Sequence, residues 1–509
     1  MNISTYFRMR AREFGDNLVA IDGERKTTYS QLEERSNKVA NWLKDTGIKP
    51  GERAIIYLPN CTEYFYFMYG AYKAGIVAIP LNYRFQKEEL RYVLKDSGAV
   101  IIFTLSRHAA VMSELQKEEG GIQQIVIADG GDKKTGTICL DTILDKYPFD
   151  TEIHPALDSD IAMIMYTSGT TGRPKGVKQT HRNNIASAEG FAFTQRITSS
   201  DRFFCIAPLF HVGGTIASLS AILTGGAVVF TPGGWDPIRF LETVEKNKVT
   251  WAFLVGLMGA QLATVENLEK YDLSSLKHVA FGGSPIPAAM YEKFEKKYEV
   301  NTFELYGRTE HVGSSINYDV NDKRVPGSVG KLLTQIMKGK LVDPVSGKDA
   351  APGQPGELIV IGENITPGYW NKPEENAKLF TKDGWQHTGD VFVQDENGYL
   401  FFKERTDDMI ISGGENIYPG EIIPVLAGHP KVADAFVLGV PHDDWGQQVA
   451  AVIVKKDPGL TEQELLDFCG TRKDLSGYKK PRAIKFVDAM PKTASMKIDK
   501  GALLKLFKK

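Results

Sequence analysis

The sequence predicts an α/β protein, because short apolar runs alternate with amphipathic helical stretches and the texture changes only late in the chain. Ser30 to Gly47 carries Leu32, Val39 and Leu43 at helical spacing and predicts an amphipathic helix. Arg53 to Leu58 (RAIIYL) is a short apolar run closed by the turn-prone Pro59-Asn60, and a second helical stretch leads to Gly75. Ile76 to Pro80, Val100 to Thr104 and Gln124 to Ala128 repeat the scheme. Between Phe203 and Phe281, the runs Ala227–Phe230 and His278–Phe281 flank a further helical stretch. Such short continuous runs suit strands buried on both faces, so the sheets are expected to be largely parallel. Beyond about Lys340 short strands and turns take over, as in Gly356 to Gly362 and the glycine-rich Asp395 to Tyr399. A last segment beginning near Asp408 has its own alternation (VADAFVLGV, VAAVIV, IKFV), which sets a domain boundary near Arg405 to Asp408.

Composition narrows the function classes. The 509 residues are 42% hydrophobic and 24% charged, which is ordinary for a packed globular chain. A net charge of -2 supplies no basic field for nucleic acid. Cys61, Cys139, Cys205 and Cys469 are scattered and form no CxxC pair, which argues against a disulfide framework and fits a reducing compartment. Met1 to Asp16 mixes arginines with apolar residues and has no apolar h-region, and no run is long enough for a membrane-spanning helix. A cytoplasmic protein is the expectation, with homodimer formation left open.

Tyr166 to Gly176 (YTSGTTGRPKG) is the strongest local signal and follows the apolar run Ile161 to Met165. Hydroxyl side chains and glycines precede Lys175, so backbone N–H groups can turn inward around an anion while the hydroxyls and the ammonium add donors. Pro174 separates Gly from Lys, so this is not a Walker A loop. Pro208 to Gly214 places His211 between apolar residues, where a histidine is more often packed than catalytic. Tyr306 to Glu310 (YGRTE) offers an aromatic face, a hydroxyl and a carboxylate, able to stack on a base, bond a phosphate and hold Mg²⁺. Alone, it reads as well as the start of a helix. Gly384 to Asp390 and Glu404 to Ile410 would in isolation be a turn and a charged strand end.

Taken together and in this order, these segments resemble the signatures of the adenylate-forming superfamily: acyl-CoA synthetases, peptide-synthetase adenylation domains and beetle luciferases. The resemblance runs from Tyr166 to Lys500. It implies a large N-terminal adenylation domain of several subdomains (residues 1–405), a hinge (406–408) pivoting at Asp407, and a small mobile α+β C-terminal domain (409–509). It also implies residue roles. Thr167, Ser168, Gly169, Thr170, Thr171, Gly172 and Lys175 would hold ATP phosphates. Tyr306 would pack on adenine, Thr309 would meet the α-phosphate, and Glu310 would bind Mg²⁺. Asp390 and Arg405 would bind the ribose, and His211 would lie beside the acyl carboxylate with room left by Gly213 and Gly214. Gly282 and Gly283 would border the acyl site, Gly413 and Gly414 the thiol tunnel, and Lys497 would bridge carboxylate and α-phosphate.

The chain departs from the family pattern at Arg308, where Met or Gln is usual, at Ile423, and at Met496, where glycine usually precedes the lysine. The expected activity is ATP-dependent formation of an acyl-adenylate and transfer of the acyl group to coenzyme A. The alternatives are a ligase loading a carrier protein's phosphopantetheine arm and, given Met496, a non-catalytic acyl-adenylate- or nucleotide-binding regulator. Trp251 to Thr264 and Gly282 to Pro287 are expected to line the acid pocket, and their apolar, small character points to a fatty or aryl acid rather than a highly polar one, with medium- or long-chain fatty acids preferred.

Overall fold

The computed structural model describes residues 1–130, 136–167, 173–283, 288–412, 415–472, 475, 477–492 and 498–507. The chain divides into two compact units, Met1–Lys338 with Val360–Gln386, and Gly339–Ile359 with His387–Lys509.

Among the described residues the first unit contains two large sheets. One has nine strands, in the order Lys331–Leu332, Gly313–Asn317, Asn301–Arg308, His278–Gly282, Trp251–Leu254, Arg202–Phe204, Ala227–Phe230, Leu18–Asp22 and Arg25–Thr28. Pairing is parallel from Asn301–Arg308 through Leu18–Asp22, and the strands at both ends pair antiparallel. The other has seven, in the order Ile138–Cys139, Gln124–Ile127, Ile101–Thr104, Arg53–Ile56, Val77–Pro80, Ile161–Thr167 and Lys175–Thr180. Only its last pair is antiparallel.

Local chemistry explains the elements. The helix Tyr29–Asp45 starts at Thr28, whose hydroxyl accepts the Gln31 N–H while the Gln31 side chain answers the Thr28 N–H. The face it buries includes Leu32, Val39 and Leu43, the residues whose spacing predicts it. Pro237–Asn247 begins at Asp236, which accepts the Arg239 N–H, with proline in the first turn. Its Phe240, Leu241 and Val244 pack with Phe204, Val229, Leu254 and Phe281 in the core beside the nine-stranded sheet.

The second unit is smaller. Met337–Val342, Gly356–Gly362, Gln386–Gln394 and Leu400–Arg405 form a four-stranded sheet, most of it in this unit. Glu415–Ile417, Ile410–Ser412, Gly446–Lys455 and Val432–His442 form another, on which Ala483–Val487 pairs parallel to Gly446–Lys455. Ile422, Leu426 and Leu465 from helices cover it, with Val437 and Val449 from its strands. The fold is thus α/β with parallel sheets in a large unit and α+β in a small one, as the sequence predicts. Among the described residues no helix is long and apolar enough to cross a membrane.

Candidate active site

The strands Ile161–Thr167 and Lys175–Thr180 form an antiparallel pair in which Thr167 stands opposite Lys175. Ser168, Gly169, Thr170, Thr171 and Gly172 lie outside the described residues. Gly176 must be small, since a Cβ there would lie 2.7 Å from Ile164 Cγ2. Its carbonyl accepts the Trp370 N–H at 2.7 Å, so the segment ending at Trp370 runs along this strand pair. That contact brings in Tyr369. Lys175 Nζ lies 5.2 Å from the centre of the Tyr369 ring, and the Tyr369 hydroxyl donates to Glu310 Oε1 at 2.8 Å.

Glu310 follows the strand Asn301–Arg308 in the short 3₁₀ turn Thr309–His311. Burial pushes its carboxyl up, but the Arg308 guanidinium, the backbone N–H and the Tyr369 hydroxyl together hold it below the ordinary range. Arg308 Nε is 3.6 Å from Glu310 Oε2. Burial keeps the Tyr369 hydroxyl protonated, reinforced by the Glu310 charge, so it can only donate to that carboxylate. His311 is fully buried and lowered to about 3, so it stays neutral, with Nδ1 2.8 Å from Ser315 Oγ. The Thr366 N–H donates to the Glu310 carbonyl at 2.9 Å, and the Gln179 amide reaches the Thr309 carbonyl at 3.4 Å. Lys175, Thr309 and Glu310 are therefore brought together, with Tyr369 and Gln179 as links that the sequence reading omits. The only trace of Tyr369 in the sequence is a Pro-Gly turn followed by two aromatics.

Gly307, just before Arg308 in the chain, lines an apolar cavity of about 290 Å³. Trp251, Phe253 and Val255 line it from one strand and its exit, with Leu305 and Gly307 from another. His211 lines it too, as the residue preceding the helix Val212–Leu223. The space at the flanking glycines serves other neighbours than a histidine. A Cβ at Gly213 would meet Phe253 Cε1 at 3.0 Å, and one at Gly214 would lie 2.4 Å from the Pro208 carbonyl oxygen. Gly283 lines the cavity, whereas Gly282 abuts Phe253, whose Cε2 would be 3.0 Å from an added Cβ. Gly307 needs its bare backbone because a Cβ would lie 2.3 Å from the Gly313 carbonyl oxygen. Of Trp251 to Thr264, only Trp251, Phe253, Val255 and Met258 reach the cavity, while Leu262 turns into the core. Tyr306 and Arg308 are not in the lining, although Leu305 and Gly307 are, which is the alternation of a strand.

The second unit holds Asp390, 5% exposed, on the strand Gln386–Gln394 opposite Arg405. Arg405 Nε lies 3.5 Å from Asp390 Oδ1. Asp390 also donates its N–H to Thr388 Oγ1 at 3.0 Å, and Gly389 before it takes φ 68 while its N–H donates to Glu357 at 2.8 Å. Asp407 is exposed in the turn after Arg405, inside this unit, whose division from the first falls between Gln386 and His387. Gly413, Gly414, Met496 and Lys497 lie outside the described residues.

The family model described as AMP-binding enzyme matches residues 7–370, and that of the AMP-binding enzyme C-terminal domain matches 423–497. The chain belongs to the AMP-binding enzymes. Within that family it is 35% identical to a feruloyl-CoA synthase from Amycolatopsis over 94% of each chain. It is 31% identical to the long-chain-fatty-acid–CoA ligase FadD13 from Mycobacterium tuberculosis, over 94% of this chain and 92% of the relative. A crystal structure of ATP-bound MatB from Rhodopseudomonas palustris superposes with a TM-score of 0.88 at 27% identity, covering 100% of this chain and 99% of that one. These AMP-binding relatives place the chain in the CoA ligase branch of the adenylate-forming superfamily, as an AMP-forming acid–CoA ligase.

Proposed function

We propose that the protein activates a compact apolar monocarboxylic acid, a medium-chain fatty acid or a single-ring aryl acid, and transfers it to coenzyme A. The observation that carries this reading is Gly307: it lines the apolar cavity and begins the segment that ends in Arg308, Thr309 and Glu310. A volume of about 290 Å³ sits at the low end of ligand sites, which span about 300–1,000 Å³, and favours short chains over the long-chain acids the sequence also allows. Feruloyl and long-chain acyl relatives bracket that choice. Arg308 beside Glu310, outside the cavity lining, speaks against a diacid held by its guanidinium.

The reaction needs a carboxylate oxygen to attack the α-phosphorus of ATP, with pyrophosphate leaving, so that the acyl carbon gains AMP as a leaving group. A thiol then attacks that carbon and AMP departs. Two anions must approach each other in the first step, so the contribution of the protein is positioning and charge stabilisation. Lys175, Thr309 and the segment from Thr167 to Gly172 are assigned to the phosphates, Tyr306 to the adenine, Asp390 and Arg405 to the ribose, and Lys497 to the carboxylate and α-phosphate. His211 is assigned to the acyl carboxylate. Glu310 fits a Mg²⁺ carried in with ATP, being a buried carboxylate kept ionised by its neighbours, and one or two carboxylates plus phosphates suffice for that ion. When bound, the ion would neutralise phosphate charge. Among the described residues no cluster of three or more acidic, histidine or cysteine side chains offers a protein-only metal site. Asp407 is assigned as the pivot between half-reactions, and Gly413 and Gly414 as the border of the thiol path.

Pyrophosphate release with a graded panel of carboxylic acids tests the reading, followed by thioester formation with CoA against a holo-carrier protein. Robust release with medium-chain or aryl acids and CoA as the better acceptor is expected. Release only with diacids or amino acids, or a preference for the carrier, would overturn it.

A further inference from the structure

We infer that Asp96 is a positioning residue: from the last turn of one helix it fixes the spacing of Thr167 and Lys175, assigned above to the ATP phosphates, and of Tyr369, which donates to Glu310. The inference rests on the ligase reading for the role of those groups, and it adds a residue outside that set. The helix is Lys87–Ser97. Gln86 and Glu89 close a capping box at its start, and Gly98 ends it in the left-handed region at φ 59. Leu90, Val93 and Leu94 anchor one side of it in the core beside the seven-stranded sheet. Tyr92 and Asp96, four residues apart, share another side.

Three segments converge on that side. The Tyr166 hydroxyl donates to Asp96 Oδ2 at 2.7 Å, and Thr167 is the next residue in the chain. Burial keeps that hydroxyl protonated, reinforced by its bond to Asp96 and the carboxylate charge, so it can only donate. The Tyr92 hydroxyl donates to the Pro174 carbonyl at 3.0 Å, and Lys175 is next in the chain. The Trp370 indole N–H donates to the Asp96 carbonyl at 3.0 Å, and Tyr369 immediately precedes it. Lys372 Nζ, 3.4 Å from Asp96 Oδ1, balances the carboxylate. Gly176 lets these side chains pass, since a Cβ there would come 3.2 Å from Tyr166 Cζ and 3.4 Å from Trp370 Cβ. The side chain of Asp96 is only 10% exposed, so removing it leaves the Tyr166 hydroxyl without its acceptor in a place that little water reaches. Thr167 and Lys175 stand opposite each other in the strand pair, so a shift at Tyr166 is carried to both. Misplacement of about 1 Å at a reacting group can cost on the order of 10²-fold, which makes the helix end a lever on ATP use.

The test uses the full chain as wild type, Asp96→Ala, Asp96→Asn, Tyr166→Phe and the Asp96→Ala/Tyr166→Phe double variant. The probes are α,β-methylene-ATP with magnesium and AMP, read by calorimetry, alongside pyrophosphate release and thioester formation from supplied acyl-adenylate. AMP lacks the outer phosphates. Partial unfolding therefore lowers both titrations alike, whereas misplaced Thr167 and Lys175 weaken the ATP analogue selectively. Melting curves identify any variant that fails to fold, and the asparagine and phenylalanine variants keep the test open if alanine does. In Asp96→Ala the affinity for the ATP analogue relative to AMP should fall by about tenfold or more, with a smaller fall in Asp96→Asn, which keeps an acceptor for Tyr166. Tyr166→Phe should give part of that fall, and the double variant should lose no more than Asp96→Ala alone. Thioester formation from acyl-adenylate should persist in all four. An unchanged affinity ratio in folded Asp96 and Tyr166 variants overturns the inference while leaving the ligase reading intact, and so does an equal loss for both probes. Conversely, a shifted ratio in a protein that activates no carboxylic acid would uphold the role of Asp96 and remove the ligase reading.

Discussion

The strand Asn301–Arg308 separates two kinds of site. On one face Leu305 and Gly307 border an apolar cavity, where Gly213 and Gly282 leave space for the Phe253 ring and Gly307 lets its strand approach the Gly313 carbonyl. On the other, Glu304 is half-buried beside the Tyr291 hydroxyl, and the strand runs on into the charged Arg308 and Glu310. As an acid site the cavity would select by excluded volume, so its errors would be graded and substrate-dependent. The charged segment works by a few short contacts between ions and donors, where a missing partner leaves a desolvated charge and the loss is steep for every substrate. Size selection and chemical power can thus be altered separately on either side of one strand.

That separation can be broken in several places. Lys497→Ala should give the largest loss, a fall on the order of 10²–10³ in acyl-adenylate formation, while thioester formation from supplied acyl-adenylate persists. Wild-type pyrophosphate exchange in this variant would remove Lys497 from the chemistry. Asp390→Ala should come next, raising the KM for ATP by about tenfold or more through loss of a charged acceptor, equally for short and long acids. A change confined to long acids would contradict the division of labour. Tyr369→Phe deletes the hydroxyl that donates to Glu310 and should lower turnover by about tenfold without moving acid selectivity. Stopped-flow detection of acyl-adenylate would show it.

Arg308→Met is expected to alter turnover of a monocarboxylic acid by no more than a few-fold, since the Tyr369 hydroxyl still donates to Glu310 and a cation carried with ATP would balance its charge. A collapse on dicarboxylic acids with survival on monocarboxylic ones would instead assign Arg308 to the acid. The smallest effect concerns Glu304, whose carboxyl burial raises to about 7 from an ordinary 4.5. The folded state then binds the extra proton, so this contribution to stability is full below about pH 4.5 and is lost as pH rises to about 7. Glu304→Gln should flatten that part of the melting-temperature profile and leave acid selectivity unchanged.

In the polar segments the sequence supplies expectations through residue type and local spacing, and for Tyr306 to Glu310 through the family resemblance. Tyr166 to Gly176 and Tyr306 to Glu310 each set out donors, acceptors and turns within one short stretch. The runs Arg53 to Leu58, Val100 to Thr104 and His278 to Phe281 likewise marked the strands Arg53–Ile56, Ile101–Thr104 and His278–Gly282. What could not be read is what depends on distant backbone. Tyr369 matters because the strand containing Val177 bridges to it and aims its hydroxyl at Glu310. The place of Phe253 in the cavity lining is likewise fixed by glycines from two other elements that meet its ring. Strand order is of the same kind: nothing in Leu18 to Asp22 names Ala227 to Phe230 as its neighbour.

That pairing also bears on how the protein is made. Leu18–Asp22 buries Val19, Ala20 and Ile21 in the sheet that carries the cavity, yet Ala20 pairs with Val228, far downstream. At synthesis rates of about 5–20 residues per second, the early strand waits on the order of ten seconds or more before its partner leaves the ribosome. During that interval an apolar segment with unpaired backbone groups is open to wrong partners. Nascent chains halted before Phe230 should therefore recruit a holdase at the N-terminus and release it once translation passes that point.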